Sequence, residues 1–461
     1  MPVELDNTEP LAWNSPDLDE DTKEMLETLQ ANILHPHVRE HLSVLFLHFG
    51  DGGDGRRFLR RLVPLMKSAK EHLRELRSFR MSQISGTTYV GVGISKAGYR
   101  QIGDATDLFT DNAFQAGMKR RTSTLNDPPV AEWEEPCREE IHAVILIGDA
   151  TPEPVAATRA TILELLPPTA RILGEETGLG QRNPEGEGIE HFGYVDGRSQ
   201  PLFLADQVAA EPKDNWNPFF PLRHVLVADP LAPNPNRHFG SYFVFRKLEQ
   251  NVRAFRQAEE QLADRLGLTG EDRKRPGAML VGRFRDGTPL RLYAKPGEDP
   301  SPAVNDFNYD GDPGNKCPVF AHIRKTTPRE SKDGGTERTL GVMMARRGQT
   351  YGVRTDNPWD DAPPETRPTG GVGLLFMAFN SSLVRQFEFM QRAWSNNPDF
   401  PRSGTGLDPL IGQGARDVPV RYPLAWGGNE LSPPLPQVPQ TVTMKGGEYF
   451  FMPSLAYLNN L

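Results

Sequence analysis

The chain has 461 residues and a net charge of −9, and it contains two cysteines, Cys137 and Cys317. So few cysteines exclude a disulfide-stapled secreted scaffold, and their separation excludes a Cys-x-x-Cys motif. The acidic balance gives no general attraction to phosphate backbones, so we expect no nucleic-acid partner. Residues 1–10 lack the features of a signal peptide, and the longest apolar runs are far shorter than the roughly 20 residues of a membrane-spanning helix. We therefore expect a soluble, cytoplasmic protein without a membrane partner.

Glycine and proline are unusually frequent. The 43 glycines and 42 prolines form about 18% of the chain, against about 12% in average usage. Such an excess indicates either disordered linkers or long ordered loops. The richest tracts, 178–201, 301–329 and 397–413, contain the motifs described below, so we expect ordered loops around a site.

The hydrophobic pattern predicts alternating strands and helices, and it does so twice. In the first half it predicts strand Ser43–Phe49, helix Arg57–Leu76, strands Tyr89–Ile94 and Ala143–Gly148, and helix Pro154–Leu166. In the second half it predicts strand Ser241–Phe245, helix Gln250–Leu266, strands Ala278–Gly282 and Val372–Phe379, helix Ser381–Asn396, and strand Gly447–Met452. This repeated order predicts a duplicated α+β unit, with one half in residues 1–215 and the other in 216–461.

One of the ten histidines, His322, has an unusual neighbourhood because three cations follow it within seven residues: Arg324, Lys325 and Arg329. An imidazole backed by cations suits an anionic, iron-bearing macrocycle, which needs an axial nitrogen for the iron and guanidinium donors for its propionates. The alternative is a structural histidine beside a solvated basic run. No two histidines have the spacing of a zinc hydrolase motif.

Two further motifs carry chemically useful side chains. In Gly193-Tyr-Val-Asp196-Gly197 the glycines allow a sharp backbone turn that would present a carboxylate for acid/base work, although Asp-Gly is also an ordinary turn signal. Arg346 is one of two arginines at the end of an apolar strand, which is usually a solvated position. Beside Asp196 in a cavity, it would be a fixed cation that stabilises developing negative charge.

Together these motifs resemble the dye-decolourising peroxidase family, in a large bacterial branch with fungal-like sequence blocks. The resemblance begins near residue 30 and runs in the family's order to the C-terminus. It is carried by these blocks: Gly193–Gly197 with the following Arg-Ser-Gln-Pro, Cys317–Thr326, Ala345–Gly348, Gly373–Phe376, Phe387–Gln391, Trp394 with Asn396–Pro398, and Gly406–Gln413.

The resemblance implies a fold of duplicated ferredoxin-like units that form a dimeric α+β barrel, with antiparallel sheets and peripheral helices. It also implies one haem b per chain, placed between the halves or within the second half. The activity implied is reduction of hydrogen peroxide with oxidation of bulky aromatic reductants such as dyes and phenolics. The oligomeric state is left open as a monomer or a homodimer.

The resemblance also assigns roles to single residues. His322 matches the proximal haem ligand and Asp408 its carboxylate partner, which would make the imidazole a stronger electron donor. Asp196 and Arg346 match the distal pair that moves a proton and stabilises charge while the O–O bond of peroxide breaks. An aspartate in this role implies an acidic pH optimum.

Four other matches concern the haem pocket. Leu374 and Phe376 match apolar residues over the distal haem face that admit only small molecules, and they are also consistent with the ordinary core of a buried strand. Arg329 matches a propionate-binding arginine, and Arg324 is a second candidate for that role.

Bulky substrates cannot enter such a pocket, so surface residues are expected to carry electrons. Tyr351 and Trp394 match surface radical sites of some relatives, although the spacing of Trp394 also fits packing against a core. On the predicted helix 250–266, Glu259 falls on the apolar stripe next to Glu260. These two carboxylates suggest either a Mn(II) site, with Mn(II) as substrate or bound ion, or a salt-bridged core acid.

Two competing functions remain at this point. A non-catalytic haem-binding or haem-handling protein on the same fold would need His322 but would have no use for both Asp196 and Arg346. A polar α+β binding module without haem would be colourless when purified.

Overall fold

The computed structural model describes residues 3–37, 40–82, 86–211, 220–299, 304–330 and 335–461. In this part of the chain the strands are β1 (His41–Phe49), β2 (Tyr89–Ile94), β3 (Ala143–Asp149), β4 (Ala170–Leu179), β5 (Val227–Ala228), β6 (Phe239–Gln250), β7 (Ala345–Arg346), β8 (Gln349–Tyr351), β9 (Gly373–Asn380) and β10 (Val442–Met452).

The α-helices of the same residues are α1 (Glu20–Thr28), α2 (Gly52–Leu62), α3 (Ala69–Ser82), α4 (Lys96–Gln101), α5 (Asn112–Ala116), α6 (Thr122–Leu125), α7 (Glu135–Arg138), α8 (Pro152–Leu165), α9 (Ala205–Ala210), α10 (Val252–Arg265), α11 (Arg275–Val281), α12 (His322–Thr326), α13 (Gly335–Val342), α14 (Phe387–Phe389) and α15 (Leu455–Asn459). A π-helical turn, Met390–Ser395, follows α14 directly. None of the described helices is long and apolar enough to cross a membrane.

Eight antiparallel strands close into a barrel in the order β6-β10-β2-β3-β1-β4-β8-β9, and β9 pairs with β6 to complete the ring. The ring consists of two sets of four strands, β2-β3-β1-β4 and β8-β9-β6-β10. The two sets have the same topology, because in each set the first and third strands along the chain are the two central ones. The two sets meet at narrow seams, Phe451 opposite Ile94 and Gly178 opposite Tyr351. The predicted fold class, duplicated ferredoxin-like units in an antiparallel α+β barrel, is confirmed, whereas the predicted boundary between residues 215 and 216 lies outside the described residues.

The strands form because their apolar side chains alternate between two buried faces. On β1, Val44 and Phe46 point into a cluster with Phe243 and Phe245 of β6, while Leu45 and Leu47 point into a second cluster under the helices. The rings of Phe46 and Phe245 lie 4.9 Å apart, so this contact joins the N-terminal and C-terminal sets of strands through the core. Both faces of the barrel are therefore buried.

Three predicted elements differ from the structure. The predicted helix Arg57–Leu76 is interrupted at residues 63–68, because Pro64 lies in the 3₁₀ turn Val63–Leu65 and has no N–H to continue the hydrogen-bond ladder of α2. The predicted helix Ser381–Asn396 is reduced to α14 and the π-helical turn, since the Gln386 amide oxygen accepts from the backbone of Ser381 and holds residues 381–386 in a loop.

The predicted strand Ala278–Gly282 is helix α11. Its short apolar run fits a buried helix as well as a strand, and Pro276 in the first turn and Gly282 at φ 106° after the last turn mark helix ends. Strand β4, which the sequence did not predict, is largely exposed and carries two glycines and three charged residues in Ala170–Leu179. Its hydrophobic alternation is therefore too weak to predict a strand.

Buried imidazoles make the fold sensitive to acid. Burial lowers the pKa of His35, His191 and His224 to about 4. In the unfolded chain the histidine pKa values are about 6.5. Between about pH 6.5 and pH 4 the unfolded chain therefore binds protons that the folded chain does not bind. Stability must fall as the pH drops through this range.

We expect the free energy of unfolding, measured by urea denaturation, to be lower at pH 4.5 than at pH 7. His224→Phe, which keeps a ring against Phe220, should remove about one proton from this dependence. A variant whose stability falls with pH as steeply as that of the wild-type protein would contradict the prediction.

Candidate active site

The predicted site residues meet at a cavity beside β6, β7 and β9, which we call the site cavity. It has two adjoining lobes of about 210 and 130 Å³, and both lobes are lined by Asp196, His322, Arg346 and Leu374. Together the lobes reach the lower part of the roughly 300–1,000 Å³ typical of small-molecule pockets. Residues from the Gly-rich motif loop, α12 and β7 are thus brought to one place.

His322 is the first residue of α12, and its imidazole is fixed by Asp408. The ring Nδ1 lies 2.9 Å from Asp408 Oδ2. Burial alone lowers the pKa of His322, but the charge of Asp408 and this hydrogen bond outweigh burial and raise the pKa. Among the described residues none bonds to Nε2, and the side chain is 22% exposed toward the cavity. Nε2 is therefore the nitrogen available to a ligand.

Asp408 is held as an anion in the protein interior. Its side chain is wholly buried, which by itself raises the pKa, but the His322 charge and three hydrogen bonds bring the pKa below its ordinary value. Two of these bonds come from the backbone N–H groups of Leu410 and Ile411, at 2.9 and 3.0 Å. An anion fixed behind the ring makes His322 a stronger electron donor.

Lys325 fastens the loop that carries Asp408 to α12. Its ammonium group is fully buried and donates to three backbone carbonyls of that loop, Asn397 at 2.8 Å, Phe400 at 2.9 Å and Gly406 at 2.6 Å. The cationic side chain that follows His322 by three residues is therefore part of the support for the His322–Asp408 pair, and not a solvated residue.

The turn that presents Asp196 depends on two glycines. Gly193 and Gly197 have φ values of 84° and 81°, which a residue with a Cβ adopts only under strain. Half-buried Glu190 holds the turn by accepting from the backbone N–H groups of Phe192 and Tyr194 at 2.8 and 2.9 Å. Asp196 itself is exposed into the cavity, and its Oδ1 accepts from the Gly197 N–H at 2.6 Å.

Arg346 reaches the same cavity from β7. Its Nη2 donates to the carbonyl of Arg198 at 2.8 Å, and its backbone N–H donates to Gln200 at 3.1 Å, so the motif loop fixes both ends of the residue. Among the described residues Arg346 has no ion pair within 4 Å, which leaves its charge facing the cavity. Arg347 is buried elsewhere and donates to the carbonyls of Asn32 and Ile33.

Two buried arginines lie near the site cavity, but only Arg283 lines it, and Arg329 lines neither lobe. Arg329 donates to Asn305 Oδ1 at 2.6 Å and to Ser199 Oγ at 2.5 Å, and Ser199 lines both lobes. Arg283 lines the smaller lobe and donates to the same Asn305 oxygen at 2.9 Å. Burial, reinforced by repulsion from Arg329, lowers the pKa of Arg283 to about 9. An anionic group of a ligand at this lobe would compensate for the free-energy cost of burying the Arg283 charge.

Arg324 does not serve the cavity. Its guanidinium is buried in an ion pair with Asp312 at 3.2 Å and donates to the carbonyl of Cys317 at 2.5 Å. It lines neither lobe. The structure thus contradicts a cofactor-binding role for Arg324, because its donors are used to fold the loop before α12.

Leu374 and Phe376 lie on the face of β9 that lines the larger lobe, while Leu375 and Met377 between and after them are fully buried on the other face. The alternation of β9 therefore places the two predicted residues at the cavity wall.

Neither predicted surface residue is at the surface. Trp394 is 2% exposed and stacks on Phe400 with ring centroids 5.2 Å apart. Tyr351 is 6% exposed and lies under the ammonium group of Lys247. The structure contradicts the surface position expected of both, since the helical spacing of Trp394 faces it toward the core.

The structure also contradicts a Mn(II) site at Glu259 and Glu260. Glu259 accepts from Arg256 at 2.8 Å with one oxygen and from the Tyr194 hydroxyl with the other. Glu260 lies by a cavity that is also lined by Arg273 and Lys274. Among the described residues no group of three or more His, Cys, Asp or Glu side chains could hold a metal ion. The alternative, a salt-bridged acid on the apolar stripe, is what the structure contains.

Comparison with known proteins supports one family. Residues 28–177 match the model of the DyP dimeric alpha+beta barrel domain. The chain is 54% identical over its full length to the multifunctional dye peroxidase DyP2 of Amycolatopsis sp., with the whole of that protein covered. The chain belongs to the dye-decolourising peroxidase family.

Further relatives agree with this assignment. The solved structure of DyP2 superposes with a TM-score of 0.94 and covers 98% of this chain and 99% of that one at 53% identity. A DyP-type peroxidase from Anabaena sp. gives a TM-score of 0.89 at 36% identity, with 97% and 96% covered. A dye-decolorizing peroxidase of Mycetinis scorodonius is 31% identical over 81% of this chain and 76% of its own length.

As a member of this family the chain is a haem-dependent peroxidase, and the site cavity fits that group. A haem needs an axial nitrogen and partners for two carboxylates. His322 Nε2 is available at the cavity, and the buried guanidinium of Arg283, whose Nε has no hydrogen-bond partner among the described residues, stands at the smaller lobe. The motif search missed Arg283 and Glu190, because no local pattern distinguishes them from ordinary charged residues.

We expect Arg283→Met to weaken haem binding by roughly 10- to 100-fold, the value of one buried charge-assisted hydrogen bond. The measurement is a haem titration of the apoprotein followed at the Soret band. Arg285→Met is the matched control, because Arg285 is two residues away and does not line the site cavity. Equal haem affinity in Arg283→Met and wild-type protein would contradict the assignment.

Proposed function

We propose that the chain reduces hydrogen peroxide in the site cavity and oxidises bulky aromatic compounds such as dyes and phenolics, with Asp196 and Arg346 as the distal pair. One observation carries the proposal. Asp196 and Arg346 face the same cavity as the free edge of His322, which is backed by buried Asp408. The names of the relatives, which include dye peroxidases at 54% and 31% identity, support the reaction class.

His322 and Asp408 have separate roles in the proposed reaction. When bound, haem supplies the iron that accepts electrons and passes them to peroxide. His322 would hold the iron through Nε2, and Asp408 would keep the imidazole electron-rich by accepting from Nδ1. An electron-rich imidazole would favour cleavage of the O–O bond of peroxide at the iron.

Asp196 Oδ1 accepts a hydrogen bond from the Gly197 N–H, so Oδ2 is the oxygen that would take the proton from one peroxide oxygen and return it to the other. Arg346 would stabilise the negative charge that develops on the departing oxygen. The side chains of Leu374 and Phe376 narrow the cavity, which favours the entry of peroxide over that of larger molecules.

A non-catalytic haem carrier is less well supported. A carrier needs a ligand such as His322, but it gains nothing from a carboxylate on a glycine-dependent turn beside an unpaired guanidinium. The backbone conformations at Gly193 and Gly197 and the contacts of Arg346 to Arg198 and Gln200 hold these two groups at the cavity.

Asp196→Asn tests the proposed proton transfer. We expect the rate of the Soret change after peroxide addition, measured by stopped flow, to fall by roughly 10²- to 10⁴-fold, because the amide cannot accept the proton. Haem affinity should be unchanged. Asp310→Asn is the matched control, since Asp310 also precedes a glycine with positive φ, Gly311 at 73°, but does not line the cavity. Ferric haem that reacts at the wild-type rate in Asp196→Asn would show that Asp196 has no such role.

A further inference from the structure

Another cavity, of about 470 Å³, opens beside the loop that leads into α12, and we call it the proline cavity. Three segments form its wall: 313–320, 402–405 and 419–434. Among the described residues it shares none with either lobe of the site cavity. Its volume lies within the roughly 300–1,000 Å³ typical of small-molecule pockets, so it is large enough for a ligand of its own.

The wall of the proline cavity combines apolar side chains with two cations. Four prolines line it, together with Val319, Phe320 and Leu431. The charged side chains of this wall are Arg402 and Arg421, and in the described part of the chain no Asp or Glu lines it. Leu431 is 45% exposed, so apolar surface is open to a ligand. The wall therefore suits a molecule with an apolar body and a negative charge.

Neither cation is neutralised by the protein. Arg402 donates to the carbonyl of Pro313, and Arg421 donates to the carbonyl of Ser432 at 3.2 Å, but neither arginine forms an ion pair with a described residue. A guanidinium group carries several N–H donors, so these single hydrogen bonds leave donors for a sulfonate or carboxylate, and its planar face can stack on an aromatic ring. Because the whole chain carries a net charge of −9, two such cations in one cavity are a local exception that would attract an anion.

Two of the three segments are held by α12, the helix that begins with His322. Arg324 forms an ion pair with Asp312 at 3.2 Å. The Asp312 carboxylate also accepts from three backbone N–H groups of the first segment, those of Gly314, Lys316 and Cys317. Lys325 donates to backbone carbonyls on both sides of the second segment, those of Phe400 and Gly406. The wall of the proline cavity is therefore fixed relative to the residue that would hold the iron.

The third segment is a hairpin attached to the first segment. The backbones of Val420 and Leu435 bridge its two arms. Between the arms, the Gly427 N–H donates to the Asn315 carbonyl at 2.9 Å, and Asn315 Nδ2 donates to the Gly427 carbonyl at 3.2 Å. Because each segment is hydrogen-bonded to α12 or to another segment, the cavity is formed before a ligand arrives, which lowers the entropic cost of binding.

We infer that the proline cavity binds aromatic anions, such as sulfonated phenols and dyes, as reductants of the peroxidase. The inference deepens the proposed function and rests on it, since it names a substrate class and the place where such a substrate gives up electrons. Phe320, which is 4% exposed, lines the cavity and precedes His322 by two residues. Two residues span at most about 7 Å of backbone, so a ring bound against Phe320 lies close to His322.

The oxidation balances for two molecules of reductant. Each sulfonated phenol loses one electron and the proton of its hydroxyl group, so its O–H bond breaks and a phenoxyl radical leaves, while the sulfonate stays unchanged. The electron passes by way of the Phe320–His322 segment to the site cavity, where hydrogen peroxide is the oxidant. Two electrons and two protons break the O–O bond of one hydrogen peroxide and give two water molecules.

The test compares the haem-loaded protein with three variants. The double variant Arg402→Gln/Arg421→Gln removes both charges of the proline cavity. Leu431→Glu leaves both arginines in place but adds a carboxylate to the wall, which either repels a bound anion or neutralises an arginine. The matched control is Arg60→Gln/Arg61→Gln, because these two arginines of α2 are exposed and line neither the proline cavity nor the site cavity. The Soret spectrum of each variant establishes that it folds and holds haem.

The probes are a naphtholsulfonate and the corresponding naphthol without a sulfonate. Without peroxide, equilibrium dialysis should show that the Kd of the naphtholsulfonate rises by roughly tenfold or more in both cavity variants, because charge-assisted contacts are lost, and is unchanged in the control. With peroxide, kcat/KM for the naphtholsulfonate should fall by a similar factor, mainly through KM. In Arg402→Gln/Arg421→Gln, kcat/KM for the naphthol and the stopped-flow rate of the Soret change should equal those of wild-type protein.

The outcomes separate the two proposals. A wild-type protein whose Soret band does not respond to peroxide would overturn the proposed function. A normal response, together with an unchanged Kd of the naphtholsulfonate in both cavity variants, would overturn the proline cavity as a binding site alone. An equal loss of naphthol oxidation would show that charge is not recognised, and weaker binding with unchanged kcat/KM would show that oxidation occurs elsewhere, so either result also overturns the inference. If the double arginine variant does not hold haem, Leu431→Glu decides by the same measurements of naphtholsulfonate binding and oxidation.

Discussion

The site depends on one hydrogen-bonded pair, between the imidazole of His322 and the buried carboxylate of Asp408. A buried carboxylate is costly unless a partner compensates for its lost hydration. Here the His322 ring and the N–H groups of Leu410 and Ile411 do so. Removing the imidazole would leave the Asp408 carboxylate without its side-chain partner in the interior, so α12 and the loop after the π-helical turn must be held in a fixed relation.

Much of the surrounding structure maintains that relation. Lys325 ties α12 to the Asp408 loop through three carbonyls, and Asp408 N–H donates to the carbonyl of Ser395 at the end of the π-helical turn. The distal groups are fixed in a comparable way, because Glu190 holds the Asp196 turn and Arg198 holds Arg346. Opposite sides of one cavity are thus positioned by separate sets of buried polar contacts, and the closed barrel connects them.

The sequence could predict the residues with a distinctive local pattern. His322 with its following cations, the Gly-x-x-Asp196-Gly turn and the strands of the barrel core all carry such a pattern. The Gly/Pro-rich tracts 178–201, 301–329 and 397–413, of which 301–303 lie outside the described residues, each contribute residues to the site cavity. Arg283 and Glu190 were missed because their roles arise from contacts between distant segments. Arg324 and Glu259 were misread because only the structure shows that Asp312 and Arg256 neutralise them.

The most direct test of this account is the midpoint reduction potential of the haem iron in wild-type protein and in Asp408→Asn, measured by spectroelectrochemistry. An anionic partner makes His322 more electron-donating and stabilises oxidised iron, so the potential should be higher in Asp408→Asn than in wild-type protein. An equal or lower potential in a variant that still binds haem through His322 would contradict the central role of the pair.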